Sequence, residues 1–155
     1  MEFVAKEDIN SGIDEVFAIL SDVDSIERQA LRRSVEVRRI TPHTILEPGM
    51  AWEAKFKFRG RQRGTQITLR EFVKPSLMVF GSVTGGLETS FRVEFLELTK
   101  GTTRVTMQAD LQPKTLSARL LVQSMKLAKS KIQRRYSVRM SQLAKDIEER
   151  ASRLA

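Results

Sequence analysis

Six stretches in which apolar and polar residues alternate, followed by an amphipathic segment running from residue 115 to 154, constrain this chain more than any other feature. Alternation with a period of two marks strands with one buried face, and a period of 3.6 marks a helix with one buried stripe. With one more strand and a short helical part at the front, the order predicts an α+β fold. A curved antiparallel sheet closes over its own C-terminal helix, an arrangement that can enclose a pocket.

The 155 residues suit a single domain, 1–155, with a core large enough to need neither metal nor disulfide. Hydrophobic residues at 41% against 30% charged, with 4 prolines and 8 glycines, give the balance of a globular chain rather than a disordered one. The absence of cysteine excludes disulfides, thiol nucleophiles and thiolate metal sites. No apolar run is long enough to span a bilayer, and the first eight residues are charged and strand-like, so a cytoplasmic location is expected.

Phe3 and Ala5 alternate with polar neighbours in a first strand that ends near Asp8 and Asn10. Ser11 then offers a hydroxyl N-cap, with Asp14 and Glu15 placed where a helix dipole favours negative charge. Ile13, Val16, Phe17 and Leu20 recur at helical spacing as far as Ser21 and Asp22, and a second turn of helix over 25–30 is weakly marked. Val35 and Val37 open the series of strands. Trp52, Ala54, Phe56 and Phe58 give its clearest member, and Gly60 turns the chain into the next, where Ile67 and Leu69 share a face. Residues 77–83 follow after Pro75. Then come two segments of a long hairpin, Leu87 to Phe95 and Val105 to Leu111, which Pro113 ends.

In the terminal segment Leu121, Met125, Ala128, Ile132, Tyr136, Met140, Leu143 and Ile147 fall within an arc of about 100° on a helix. That stripe is expected on the sheet, and an unbroken helix of this length would span roughly 60 Å, so its last turns are expected to project or fray. Leu116, Leu120, Leu127 and Val138 form a second strip, for packing on neighbouring loops or the short helices, or for a dimer contact. The net charge of +8 gathers here: between residues 115 and 139 stand seven bases and no acid. A solvated helix face is one reading; a surface for nucleic acid, anionic membrane or an acidic partner is the other.

The run Ile13-Asp14-Glu15-Val16-Phe17-Ala18-Ile19-Leu20-Ser21-Asp22 resembles the first helix of the helix-grip domains. This superfamily, also called SRPBCC, includes START lipid carriers, the birch-pollen allergen (Bet v 1) type and the polyketide cyclase or dehydrase family. Gly101-Thr102-Thr103-Arg104-Val105-Thr106 likewise resembles their turn into the last strand. The likeness covers essentially the whole chain. It implies a cavity between sheet and terminal helix, used in relatives for lipids, polyketides, hormones or other apolar molecules. No cofactor is expected.

Facing then gives candidate ligand-binding residues. Trp52, Phe56, Ile67, Leu69, Phe91, Val93, Val105 and Met107 share one sheet face, with Met125, Ala128, Ile132 and Tyr136 opposite, and any one of them also suits simple core. Glu71, in register with Ile67 and Leu69, is a weak catalytic candidate as a buried acid or base, or else stands exposed at the strand end. Arg135 and Arg139, one turn apart beside Tyr136, could fork an anionic ligand group or reach water over their stems. His43, the only histidine, has no partner for a zinc site or a catalytic pair.

Three functions fit: a carrier or sequestering protein for a hydrophobic small molecule, a cyclase- or dehydrase-like enzyme in the same cavity, or an RNA-, ribosome- or membrane-associated protein. A monomer or weak homodimer is expected.

Overall fold

A computed structural model describes residues 1–154. Along the chain come β1 (Glu2–Ile9), α1 (Ile13–Leu20), α2 (Val23–Arg32), β2 (Glu36–Arg39), β3 (Ala51–Phe58), β4 (Arg61–Val73), β5 (Leu77–Thr84), β6 (Leu87–Thr99), β7 (Thr102–Pro113), α3 (Leu116–Lys126) and α4 (Lys129–Leu154). The strands form one antiparallel sheet in the order β1-β7-β6-β5-β4-β3-β2. Successive strands from β2 onward therefore pair with each other, and β1 closes the far edge against β7.

The alternation read from the sequence becomes continuous rows across the sheet. One inward row runs Ala5, Met107, Val93, Met78 and Phe72; the next runs Phe3, Ala109, Phe91, Phe80 and Leu69. The tight connections follow from backbone handedness: Arg59 and Gly60, and again Gly85 and Gly86, all have positive φ, as two-residue hairpins that match the strand twist require.

The register is not uniform. A β-bulge at Arg70 inserts one residue between Leu69, opposite Phe80, and Glu71, opposite Val79. Facing therefore inverts along β4: Ile67 and Leu69 point inward before the bulge, and Phe72 does so after it. The Arg70 side chain lies across Gly81, where any Cβ would collide with it.

The front helices differ in detail from their sequence markers. Gly12, not Ser11, occupies the N-cap of α1, while the Ser11 hydroxyl donates to Glu15 at 2.7 Å. Asp22 caps α2, accepting from the Ser25 amide, and α2 extends over ten residues rather than a single turn. Phe17 of α1 enters the core between Phe72 and Phe95, with ring centroids at 5.3 and 5.0 Å.

The terminal segment is two helices. The Ala128 amide bonds back three residues to Met125 before the four-residue ladder resumes at Ile132. No proline or glycine stands in the segment, but its halves have different seats: α3 buries Ala118 and Val122 beside β7, and α4 lies along β1 and α1. Lys126 and Lys129, three residues apart, also repel each other across the joint. The final turns do not project, because Ile147 and Ala151 are buried. Leu116, Leu120, Leu127 and Val138 remain largely exposed.

Tyr136 fastens α4 to the sheet. Its hydroxyl donates to the Met107 carbonyl at 2.7 Å, and burial pushes the phenol up to about 12. As this is the only tyrosine, ultraviolet titration of the folded protein should show one phenol ionising close to that value. A raised value means that the native state holds its proton where the unfolded chain has lost it. The associated stability is complete below about pH 10 and disappears as pH rises toward 12. Tyr136→Phe should cost about 1 kcal/mol in denaturant unfolding and abolish that alkaline slope.

Candidate functional site

A cavity of about 360 Å³ lies between the sheet, the end of α1, the underside of α2 and the C-terminal half of α4. The sheet contributes Trp52, Ile67, Met78, Phe80, Phe91 and Val93. Ile19, Leu20, Ile26, Ala30, Val35 and Val37 form the roof, and Leu143 and Ile147 close one side. The walls are almost wholly apolar. Its size is near the lower end of the roughly 300–1,000 Å³ usual for ligand pockets, with room for about a dozen water-sized groups.

The polar groups around this space mainly hold the roof in place. Glu27 of α2 accepts from Arg39 Nε and Nη2, each at 2.9 Å, and from the Trp52 indole N–H at 3.2 Å. Arg39 also reaches Asp24 at 2.7 Å. The hydrogen bond to Glu27, followed by the attraction of Glu27 and Asp24, outweighs burial and raises the Arg39 pKa further. This fastens α2 to β2 and β3.

On the other side Arg150 of α4 donates to the Ser25 hydroxyl and, at 3.1 Å, to Asp22. Burial pushes the Asp22 carboxyl up, but the Ser25 amide, Arg150 and Arg28 together bring it below its ordinary value. Gln29 holds Arg33 at the rim through a 2.8 Å bond, and Asp146 completes the rim without a bonded partner among the described residues.

Of the residues singled out from the sequence, Trp52, Ile67, Phe91 and Val93 meet at the cavity. Leu69, Val105 and Met107 are fully buried in the core beside it. Phe56 pairs with Arg63 toward the open end of β3 and does not line the space. Met125, Ile132 and Tyr136 are half-buried on the part of the terminal segment that lies away from the cavity, and Ala128 is exposed there.

Arg135 and Arg139 are both exposed, and only Arg139 comes near, beside Arg33 in a shallow hollow outside the rim. Glu71 faces the opposite side of the sheet, its side chain 56% exposed and 4.0 Å from Arg92, because the Arg70 bulge inverts the parity that placed it inward. His43 sits in a loop with Nδ1 2.8 Å from the Thr41 hydroxyl.

Sequence reasoning misses the roof. Ile26 and Ala30 lie four residues apart on one face of α2, and meet Ile19 and Leu20 of α1 at the cavity. That spacing is the available signal, obscured by the polar residues that separate them.

No family model matches this sequence, and no curated protein is similar to it in sequence. Solved structures are similar throughout. TTHA0849 from Thermus thermophilus is 16% identical, with the alignment covering 100% of this chain and 99% of that one at a TM-score of 0.68. The ZhuI aromatase/cyclase from Streptomyces sp. R1128 is 11% identical over 99% and 94% of the two chains, with a TM-score of 0.65. Ara h 8.0201 is 11% identical over 89% and 97%, with a TM-score of 0.57. Such identities speak for architecture alone. With a seven-stranded antiparallel sheet, paired front helices and a long terminal helix against the sheet, this chain has the helix-grip, START/Bet v 1-like fold.

Proposed function

We propose that this protein binds a small hydrophobic molecule in the cavity beneath α2 and acts as its carrier or sequestering protein. The observation that carries this reading is the apolar space itself, about 360 Å³ left open among Trp52, Ile67, Phe80, Phe91 and the underside of α2. Burial of an apolar ligand there gains roughly 25 cal/mol for each Å² removed from water, and the pre-formed walls limit the ordering cost. The volume suits a single acyl chain or a few fused rings better than a two-chain phospholipid.

The ZhuI neighbour is an aromatase/cyclase, so turnover of a polyketide-like substrate is the second reading. Several of the charged side chains nearest the space are engaged with one another: Glu27 with Arg39, and Arg150 with Asp22. That arrangement favours holding a ligand over transforming it.

Native mass spectrometry of freshly purified protein should reveal a co-purified small molecule, and the uncharged dye phenylnaphthylamine should bind with enhanced fluorescence. Ala30→Trp and Ile67→Phe, which fill the space from opposite sides, should each weaken the dye by about tenfold or more. Glu71→Gln and Arg135→Ala should leave it unchanged. Affinity left unchanged from the parent protein in both filled variants would refute the cavity as the site.

Arg150→Ala should speed dye release and cost about 1 kcal/mol in stability, since it removes the donor to the Ser25 hydroxyl and to one Asp22 oxygen. The lowered Asp22 carboxyl works through the same contact. Its contribution is complete above the unfolded carboxylate value near 4 and is lost as pH falls through the lower folded value. Asp22→Asn should accordingly flatten the acid limb of the stability curve.

A further inference from the structure

The exposed strip on α3 and the basic residues around it belong to a different part of the molecule from the cavity. Leu116, Leu120 and Leu127 are 73%, 59% and 92% exposed, on the side of α3 opposite the buried Ala118 and Val122. The β3–β4 hairpin comes up beside them: Arg59, at its tip, donates to the Ser124 hydroxyl of α3 at 2.8 Å. Phe58 adds a half-buried ring, with the Arg59 and Arg63 guanidiniums 5.5 and 5.8 Å from its centroid.

The hairpin carries Lys57, Arg59, Arg61 and Arg63, and residues 115–139 carry Arg119, Lys126, Lys129, Lys131, Arg134, Arg135 and Arg139. Neither stretch contains an acid. Among the described residues none of these eleven bases forms an ion pair. They hold more than the whole net charge of +8: of 27 bases, the 16 outside these two stretches are outnumbered by 19 acids. The excess positive charge therefore resides on these two stretches, with Arg139 lying apart beside Arg33.

We infer that α3, the start of α4 and the β3–β4 hairpin form a docking surface for an anionic lipid bilayer. A row of exposed leucines flanked by lysine and arginine is the composition of a helix that lies in a membrane interface, its apolar residues below the headgroups and its bases among them. Nucleic acid would satisfy the charge but not the leucines, and the surface offers one aromatic ring where single-strand recognition uses several for stacking. A second copy of this chain would bring like charges together. The inference rests on this surface alone and does not depend on the cavity being occupied.

Sedimentation with vesicles provides the test. The protein should bind vesicles of phosphatidylcholine mixed with phosphatidylserine, bind pure phosphatidylcholine at least tenfold more weakly, and release as salt is raised. Leu120→Ser with Leu127→Ser keeps every base and alters only exposed side chains, and should reduce binding about tenfold without changing the melting temperature. Arg119→Glu with Lys126→Glu should do the same through charge. Failure to bind the mixed vesicles, binding that the leucine variants leave unchanged, or preference for single-stranded RNA over the vesicles overturns the inference. Ala30→Trp should not affect any of these readouts, so a failed cavity and a failed surface are told apart.

Discussion

The inner face of the sheet is wider than one helix can cover. Seven strands about 4.8 Å apart extend over roughly 29 Å, whereas a helix with its side chains is about 10–12 Å across. The chain covers the two margins separately: α4 lies along β1, and α2 lies against β2. Between them the middle strands present Ile67, Met78, Phe80, Phe91 and Val93 to a space that no helix fills. The cavity thus follows from sheet width and helix placement.

Holding α2 at its margin takes polar contacts, because its exposed position gives it little apolar surface to bury. Arg39 secures one side through Glu27 and Asp24, and Arg150 secures the other through Asp22 and Ser25. Partly exposed ion pairs of this kind contribute little each and are screened by salt. The roof is consequently the most weakly held wall of the cavity. Its opposite wall is continuous with a core in which Leu69, Met78 and Met107 are excluded from water.

Much of this was legible in the chain. Period-two alternation in Trp52 to Phe58 and Leu87 to Phe95 encodes both the strands and their facing, so Trp52, Phe91 and Val93 could be assigned to one surface before any coordinates. What escaped depends on features without a period. The bulge at Arg70 is a single inserted residue, and it reverses Glu71. The division of the terminal segment leaves no proline or glycine to mark it, and the cavity is closed by the C-terminal half of α4, away from Met125 and Ile132. The contacts securing α2 join residues as far apart as Asp22 and Arg150, a separation of 128 positions. Side-chain pairing over that distance has no local trace.

The bulge on β4 has a further implication for how this strand tolerates change. Its two halves are written in opposite phase, with Ile67 and Leu69 facing inward on odd positions and Phe72 on an even one. Point substitutions leave that phase alone, and loss of the inserted residue would only make the strand regular; straightening the bulge with every residue kept would instead turn the second half of the strand inside out, exposing its phenyl ring and setting a carboxylate against Met78. The bulge is therefore a place where this sheet carries one extra residue without reversing its inner face. Length variation should collect at the Gly60 and Gly85 turns, where an added residue shifts no side chain from one face to the other.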